Sequence, residues 1–529
     1  MKSLKTSSLL ASLCITMCCA TVATAQVKPS ALFSDHMVLQ SGMSVPIWGT
    51  ADAAEKITIK FNSQTRHATA DTTGKWMVRL TKLKPGGPFE MTIAGNKAGE
   101  TPIIVKDVLV GEVWLGSGQS NMDFTVGTTT RHYFAGVKNE AEEIAAANYP
   151  QIRMFTGAWK NSYEPQTEVS GSWLIVTPEN VKEMSAIGYL FARDMQQELK
   201  VPFGIVTQAF GASTAEAWTS REALAAEPQL KPLIDAFDAN VAAYKTNPPD
   251  MTAALKAWQE AADKAKANAK TIPRRPGNRN PVQDQHNPTV MYNGMIAPVI
   301  PYAIRGVLWY QGEAINGGAT GYKLYPLLQA TLIKDWRQRW GEGDFPFYIC
   351  QLAPLKSWPN RPDTWYNNPD VREAQATVLS LPNTGMAVTI DIGDPVNIHP
   401  KDKQDVADRL TRIALAQTYG RKIEYSGPIY DSMKVEHSSI RIGFTHASGG
   451  LVAKGGDLKT FVIAGQDGKF VPATARIEHD TVVVSSPDVA DPAAVRYAWD
   501  NYPEGCNLYN SDGLPAAPFR TDTRAHELQ

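Results

Sequence analysis

Between residues 27 and 105 apolar and polar residues alternate in short runs. Lys56-Ile-Thr-Ile-Lys-Phe61 and Lys75-Trp-Met-Val-Arg-Leu80 are examples, separated by Asp, Gly and Pro turns. A period of two without a sustained helical repeat predicts an all-β module, a β-sandwich over 26–105. From Asp107 the pattern changes. Apolar runs at 108–115, 204–210, 306–310, 347–352 and 385–390 are each followed by longer stretches of helical character. Continuous apolar strands alternating with helices predict a parallel sheet covered on both faces, an α/β domain over 106–425. Residues 220–270 are rich in Ala, Lys, Glu and Leu around Pro248-Pro249, which predicts an inserted helical hairpin whose simplest role is surface decoration. After Tyr425 short alternating runs return, as in Ser439-Ile-Arg-Ile-Gly-Phe444 and Thr481-Val-Val-Val-Ser485, and predict a C-terminal β-rich domain over 426–529.

The first 25 residues stand apart from this pattern. Lys2 and Lys5 precede an apolar run from Leu9 to Ala20, and Ala23-Thr24-Ala25 follows. This order predicts a secretory signal over 1–25, cleaved after Ala25, and hence an exported, periplasmic or extracellular protein. Cys18-Cys19 raises the question of a lipid anchor, but Met17 stands where a small residue would be expected before Cys18. No later stretch reaches the roughly 18–20 uncharged residues of a membrane span. Of five cysteines, only Cys350 and Cys506 would remain after cleavage, which excludes a disulfide-dense scaffold. A bridge between those two needs α-carbons within about 7 Å. A packed thiol is the simpler reading of Cys350, which lies in an apolar run.

Charge narrows the classes further. The chain has 529 residues with 52 Lys+Arg against 53 Asp+Glu and 43% hydrophobic residues, which excludes a disordered tail. No basic cluster offers the electrostatic footprint of a nucleic-acid binder. Nucleic acid is therefore not expected as a partner, and oligomeric state is not readable from the sequence.

The candidate chemistry starts where the first α/β strand ends, in Gly116-Ser-Gly118-Gln119-Ser120-Asn121-Met122. Ligands of open α/β sheets bind at the carboxyl ends of strands. A serine just past two glycines could expose its hydroxyl there and turn its own N–H into the same space. Met122 occupies the place of the second glycine of a Gly-x-Ser-x-Gly elbow, so this is a different turn, and a polar turn capping a helix is the alternative. A serine hydroxyl needs a base. His399, in Asp391-Ile-Gly-Asp394-Pro-Val-Asn397-Ile-His399-Pro400, is the best placed of nine histidines, following the strand 385–390. Pro400 suits the first position of a helix carrying Val406, Leu410, Ile413 and Ala414, whose positive end would keep the imidazole neutral. Asp394 and Asp391 are carboxylates able to orient the ring, and helix capping is the plainer role for His399. Two more strand ends carry polar groups: Phe210-Gly211-Ala-Ser213-Thr214-Ala-Glu216-Ala-Trp218, with a glycine N–H, and Trp309-Tyr310-Gln311-Gly312-Glu313, with an amide donor at Gln311.

Together the Gly118-Gln-Ser-Asn-Met122, Gly211-Ala-Ser213, Glu216-Ala-Trp218, Trp309-Tyr-Gln-Gly-Glu313 and Asp391–Pro400 segments resemble the sialate O-acetylesterase family of the SGNH-hydrolase superfamily, from about Leu32 to about Phe519. The resemblance implies a flavodoxin-like, SGNH-type catalytic domain flanked by all-β domains, no cofactor and no metal, and acetyl groups on sugars as substrate. It makes Ser120 the nucleophile and His399 the base, with an oxyanion hole of the Ser120 N–H, the Gly211 N–H and the Gln311 side chain. The family usually continues Gln-Gly-Glu with Ser-Asn, whereas here Ala314 and Ile315 precede Asn316. The superfamily often places Asp three residues before the histidine and the family commonly two before; here Val396 and Asn397 stand at those positions. A Ser–His dyad, its imidazole held by a backbone carbonyl or by Asp394, is therefore as consistent as a triad.

Three rival functions remain at this level. The same esterase could act on acetylated xylan, pectin or peptidoglycan. Arg153, Arg305 and Arg372 could each meet a sialate carboxylate, although structural arginines are the simpler reading. The 13 Trp and 18 Tyr would suit a non-catalytic carbohydrate-binding protein. Asp391, Asp394 and His399 could hold a metal, but no second nearby histidine or Cys pair supports it.

Overall fold

A computed structural model describes residues 26–129, 134–268, 270, 272–273, 275–277, 280–315, 321–357, 367–447 and 449–522. The expected signal over 1–25 lies outside the described residues. The central sheet is built from seven strands: β1 (Ile103–Gly118), β2 (Tyr149–Thr156), β3 (Trp173–Val176), β4 (Phe203–Ala209), β5 (Gly306–Tyr310), β6 (Phe347–Cys350) and β7 (Thr384–Ala387). Their order is β3-β2-β4-β1-β5-β6-β7. All neighbours run parallel except β3, which lies antiparallel on β2. The five expected strands are present. The expectation of a purely parallel sheet is corrected to a sheet of mixed direction: β2 is interrupted by Pro150, Gln151 and Arg153, and the antiparallel β3, though apolar, is only four residues long, too short to stand out as a strand in the pattern.

Both faces of this sheet are covered, for a reason visible in the period-two alternation of its strands. Leu115, Val206, Val307, Trp309, Phe347 and Ile349 point to one side, into a core shared with Leu332, Ile333 and Trp336 of the Gly321–Trp340 helix. Their neighbours Trp114, Ile205, Leu308, Tyr310 and Tyr348 point to the other, against Ile187 and Leu190 of the Ala186–Leu199 helix and Val406 and Leu410 of the Lys403–Ile413 helix. Helices Arg221–Ala226, Lys231–Thr246 and Thr252–Ala267 occupy the segment where an insertion is expected. No helix among the described residues is long and apolar enough to cross a membrane.

The β modules are joined to this core by hydrogen bonds. The sixteen-residue β1 pairs over its first half with Gly86–Ala94 and Val38–Gln40, and over its second half with β4 and β5. On the C-terminal side, one antiparallel four-stranded sheet contains Ile429–Glu436 and Ser439–Thr445, and a second contains Phe461–Ala464 and Ala494–Tyr497. Cys350 is a buried free thiol and Cys506 a half-buried one whose Sγ approaches the Ile390 carbonyl at 3.5 Å, so the two do not form a bridge.

At its last residue β1 presses directly on β5. Gly118 has φ +129°, and a Cβ there would stand 2.2 Å from the Tyr310 carbonyl oxygen. Backbone on both sides leaves no flexible atom to yield. Gly118→Ala is expected to cost at least the roughly 1–3 kcal/mol of a strained backbone conformation, read as a lower midpoint in urea unfolding.

Candidate active site

The carboxyl ends of β4, β1 and β5 lie side by side, and each delivers one of the expected segments. β1 ends at Gly118, and Ser120 opens a single helical turn, Ser120–Asp123. Gln119 N–H donates to the Tyr310 carbonyl (2.9 Å), while its side-chain Oε1 accepts from the N–H groups of Gly312 and Ala314 (3.2 and 3.3 Å). The turn that carries Ser120 is thereby tied to the β5 turn through both backbone and side chain. After β4, Gly211 comes against the serine: a Cβ on it would lie 3.8 Å from Ser120 Cβ. The turn that follows is held by Ser213, whose hydroxyl donates to the Phe210 carbonyl and accepts from Trp218 Nε1, both at 2.8 Å.

His399 arrives from the loop after β7, and its Nε2 lies 2.8 Å from Ser120 Oγ. The two residues, 279 positions apart, are 4% and 5% exposed. Phe134 stacks on the imidazole with ring centroids 4.7 Å apart and planes at 26°. The helix expected to begin at Pro400 begins instead at Lys403, with Asp402 as its cap accepting from Asp405 N–H at 3.2 Å. The residues in between form a turn, so the helix terminus is not immediately behind His399, and the argument that its dipole keeps the ring neutral loses its geometric basis.

The remaining expected residues have defined tasks. Asp394 Oδ1 accepts the N–H groups of Val396 and Asn397, each at 2.9 Å, and Asn397 Oδ1 accepts the N–H of His399 at 2.9 Å. These contacts fold the loop on itself, as Asx turns do. Asp391 receives two hydrogen bonds from Arg409 (2.7 and 2.8 Å) and one from Tyr509 (3.0 Å). Among the described residues no three His, Cys, Asp or Glu side chains gather as a metal site would require. Gln311 is fully buried; its Nε2 donates to the Ser213 carbonyl (3.2 Å) and its Oε1 accepts from Tyr325 (2.8 Å). One amide hydrogen is spent on the neighbouring turn and the side chain is fixed in orientation. Asn316 lies outside the described residues.

The three candidate arginines are engaged elsewhere. Arg153 pairs with Asp107 at 3.0 Å and Arg305 with Glu112 at 2.6 Å. Arg372, completely buried, donates to the carbonyls of Leu352, Asp500 and Asn501.

Sequence reasoning passed over three polar residues beside the dyad: Asn121, Glu313 and Lys403. Asn121 Nδ2 donates to Glu313 Oε1 and to the Ile398 carbonyl (3.1 Å), while Lys403 Nζ donates to Asn121 Oδ1 (2.7 Å) and the Pro400 carbonyl (2.8 Å). Burial pushes the Lys403 ammonium down to about 7, against the attraction of Glu313, and burial likewise raises the Glu313 carboxyl. Asn121 and Glu313 were inside the quoted motifs; Lys403 had no signal beyond its place four residues after the histidine.

A buried serine and imidazole in hydrogen-bond contact at the carboxyl edge of a mixed α/β sheet fit a carboxylic ester hydrolase. Comparison with known proteins gives the same class. A family model described as "SASA: Carbohydrate esterase, sialic acid-specific acetylesterase" matches residues 280–415. The chain is 30% identical to the sialate O-acetylesterases of Mus musculus and Homo sapiens, over 92% of its own length and 92% and 91% of theirs. It also resembles the crystal structure of a carbohydrate acetylesterase from Xanthomonas citri, with a TM-score of 0.78 and 34% identity, covering 94% of this chain and all of that one. The chain belongs to the sialate O-acetylesterase family, and the resemblance read from its motifs is borne out.

Asp391→Asn separates a structural from a chemical role for that carboxylate. Among the described residues, it leaves the nearly buried Arg409 guanidinium with only Asp405, 3.9 Å away, as a charged partner. The expected loss is near the lower end of the about 3–5 kcal/mol typical of a broken buried pair, measured by chemical denaturation, with activity per folded molecule retained.

Proposed function

We propose that the protein is an exported serine esterase that removes O-acetyl groups from sialic acids through an acetyl-enzyme intermediate. The observation that carries the mechanism is the 2.8 Å contact between His399 Nε2 and Ser120 Oγ. As base the ring carries its own proton on Nδ1. Ser120 Oγ attacks the acetyl carbonyl carbon while its proton passes to His399 Nε2, and the negative charge collects on the carbonyl oxygen. The N–H groups of Ser120 and Gly211 and the second amide hydrogen of Gln311 are the donors we assign to that oxygen. Collapse breaks the bond to the sugar oxygen, which leaves with the proton from His399. Water then repeats the sequence on the acetyl-serine and frees acetate.

In this scheme a Ser–His dyad does the proton transfer, and Asp394 contributes by holding the loop on which His399 rides. Export rests on the signal-like character of residues 1–25. The frame is of SGNH type: taken without β2 and β3, the parallel strands follow the 2-1-3-4-5 order of a flavodoxin-like sheet. Sialic acid is favoured as the sugar by the curated relatives, while the carbohydrate acetylesterase from Xanthomonas citri supports the broader reading of acetylated glycans in general.

Ser120→Ala should abolish release of acetate from O-acetylated sialic acid and prevent labelling by an organophosphonate; retained turnover would refute the assignment. Acetylated xylan assayed in parallel separates the two substrate readings, since faster release from xylan would reject sialic acid as the preferred sugar. Asp394→Asn keeps an oxygen able to accept both loop N–H groups. It should leave kcat within about an order of magnitude, whereas a triad aspartate replaced by its amide loses about 10⁴-fold.

A further inference from the structure

The buried polar cluster beside the dyad is not used by the chemistry just described, and it is costly. A lysine side chain with no solvent exposure and a buried carboxyl group are retained next to the nucleophile. Glu313 Oε2 has no hydrogen-bond partner among the described residues. The geometry of the cluster indicates what it does. His399 is flanked by two carbonyl groups, and each is gripped: that of Ile398 by Asn121 Nδ2 and that of Pro400 by Lys403 Nζ. The two grips are joined, because Lys403 also donates to Asn121 Oδ1. The orientation of the Asn121 amide follows from its partners. The Ile398 carbonyl can only accept, so Nδ2 faces it and Oδ1 faces Lys403 Nζ, while the second Nδ2 hydrogen goes to Glu313 Oε1. Both hydrogens and the oxygen of that amide are thus engaged, and Asn121 is the residue directly after Ser120. The ammonium lies 4.5 Å from the Phe124 ring centroid and 5.6 Å from that of Tyr310, which surround it with aromatic faces.

We propose that Asn121, Lys403 and Glu313 form a positioning relay that holds the backbone on both sides of His399 in fixed register with Ser120. This inference rests on the dyad reading above. Three strand ends meet in it: Asn121 follows β1, Glu313 follows β5, and Lys403 opens the helix beyond the β7 loop. The imidazole's distance to the hydroxyl is then set by side chains that touch neither substrate nor the reacting atoms.

The test is the full-length enzyme on 4-nitrophenyl acetate, with Ser120→Ala as control. Lys403→Met keeps the length of the side chain and removes both donated bonds. It should fold, lower kcat by about 10²-fold, the penalty typical of an ångström-scale misplacement, and change KM by less than about threefold. The rate at which an organophosphonate labels Ser120 should fall in parallel, since it needs the same imidazole. Glu313→Leu should show the same kcat-specific loss, and Glu313→Gln, which still offers an oxygen to Asn121, should recover about tenfold of it. Wild-type kcat in Lys403→Met, or a loss confined to KM, would overturn the relay. If Lys403→Met gives no folded protein, Asn121→Asp decides: it forfeits both Nδ2 bonds, and wild-type kcat there has the same consequence. An active Ser120→Ala would instead remove the dyad itself, whereas an inactive Ser120→Ala beside an unimpaired Lys403→Met removes only the relay.

Discussion

The close approach of two strand ends, at Gly118 and the Tyr310 carbonyl, governs the placement of everything around Ser120. Parallel strands finish on the same edge, and here the middle one finishes against its neighbour's backbone with no room for a side chain. The chain must turn at once, and the hydroxyl-bearing residue lands two positions later on a four-residue helical turn that is buried throughout. A turn this short has little stability of its own. It is held instead by Gln119, whose backbone and side chain bond to the β5 end, and by Ser185, whose hydroxyl donates to the Met122 carbonyl at 2.6 Å. Ser120 is therefore anchored to the sheet beneath it through the bonds of its neighbours.

Polar groups buried around this edge explain why the separate motifs belong together. Gln119 bonds Gly312 and Ala314, Gln311 bonds the carbonyl of Ser213, and Asn121 bonds Glu313 and Ile398. Each motif supplies partners for another motif's buried donors and acceptors, and an unpaired group at any of these positions would cost about 1–3 kcal/mol. Spacing along the chain plays no part in this, because the sheet order brings together segments nearly 300 residues apart. Conservation of charge balance is equally local: Lys403 and Glu313, the two ionisable side chains of the cluster, are joined through one neutral amide.

The parts of the fold that the sequence disclosed were those in which one physical signal dominates. Buried parallel strands read as unbroken apolar runs, so β1, β4, β5, β6 and β7 were legible, whereas β2, broken by Pro150, Gln151 and Arg153, and β3, only four residues long, were not. That Ser120, Gly211 and His399 come together at one edge could be anticipated because each lies in a turn that follows an apolar run. The start of the helix after His399 was misplaced, because Pro400 satisfies the rules for a first helical position and Asp402 satisfies those for a cap, and the carboxylate that accepts the Asp405 N–H prevailed. Lys403 could not have been found by pattern. A lysine in the first turn of an amphipathic helix normally faces water, and only the third dimension shows this one directed inward onto Asn121.

The same long strand also changes the status of the N-terminal β module. A boundary between residues 105 and 106 falls inside β1, which begins at Ile103 and ends at the turn that carries Ser120. Its first half donates and accepts hydrogen bonds with Gly86–Ala94 and Val38–Gln40, and buries Val105, Val108, Leu109 and Val110. Removing the partner strands would leave those apolar residues and an unpaired ladder at the root of the strand whose tip carries Ser120. From the C-terminal side Tyr509 donates to Asp391, at the start of the loop that presents His399, and the carbonyls of Asp500 and Asn501 accept from Arg372 of the Asn368–Ala376 helix. One β module thus braces the strand that ends beside Ser120 and the other the loop that carries His399, so the two β-rich ends act as abutments and the central sheet as the span between them.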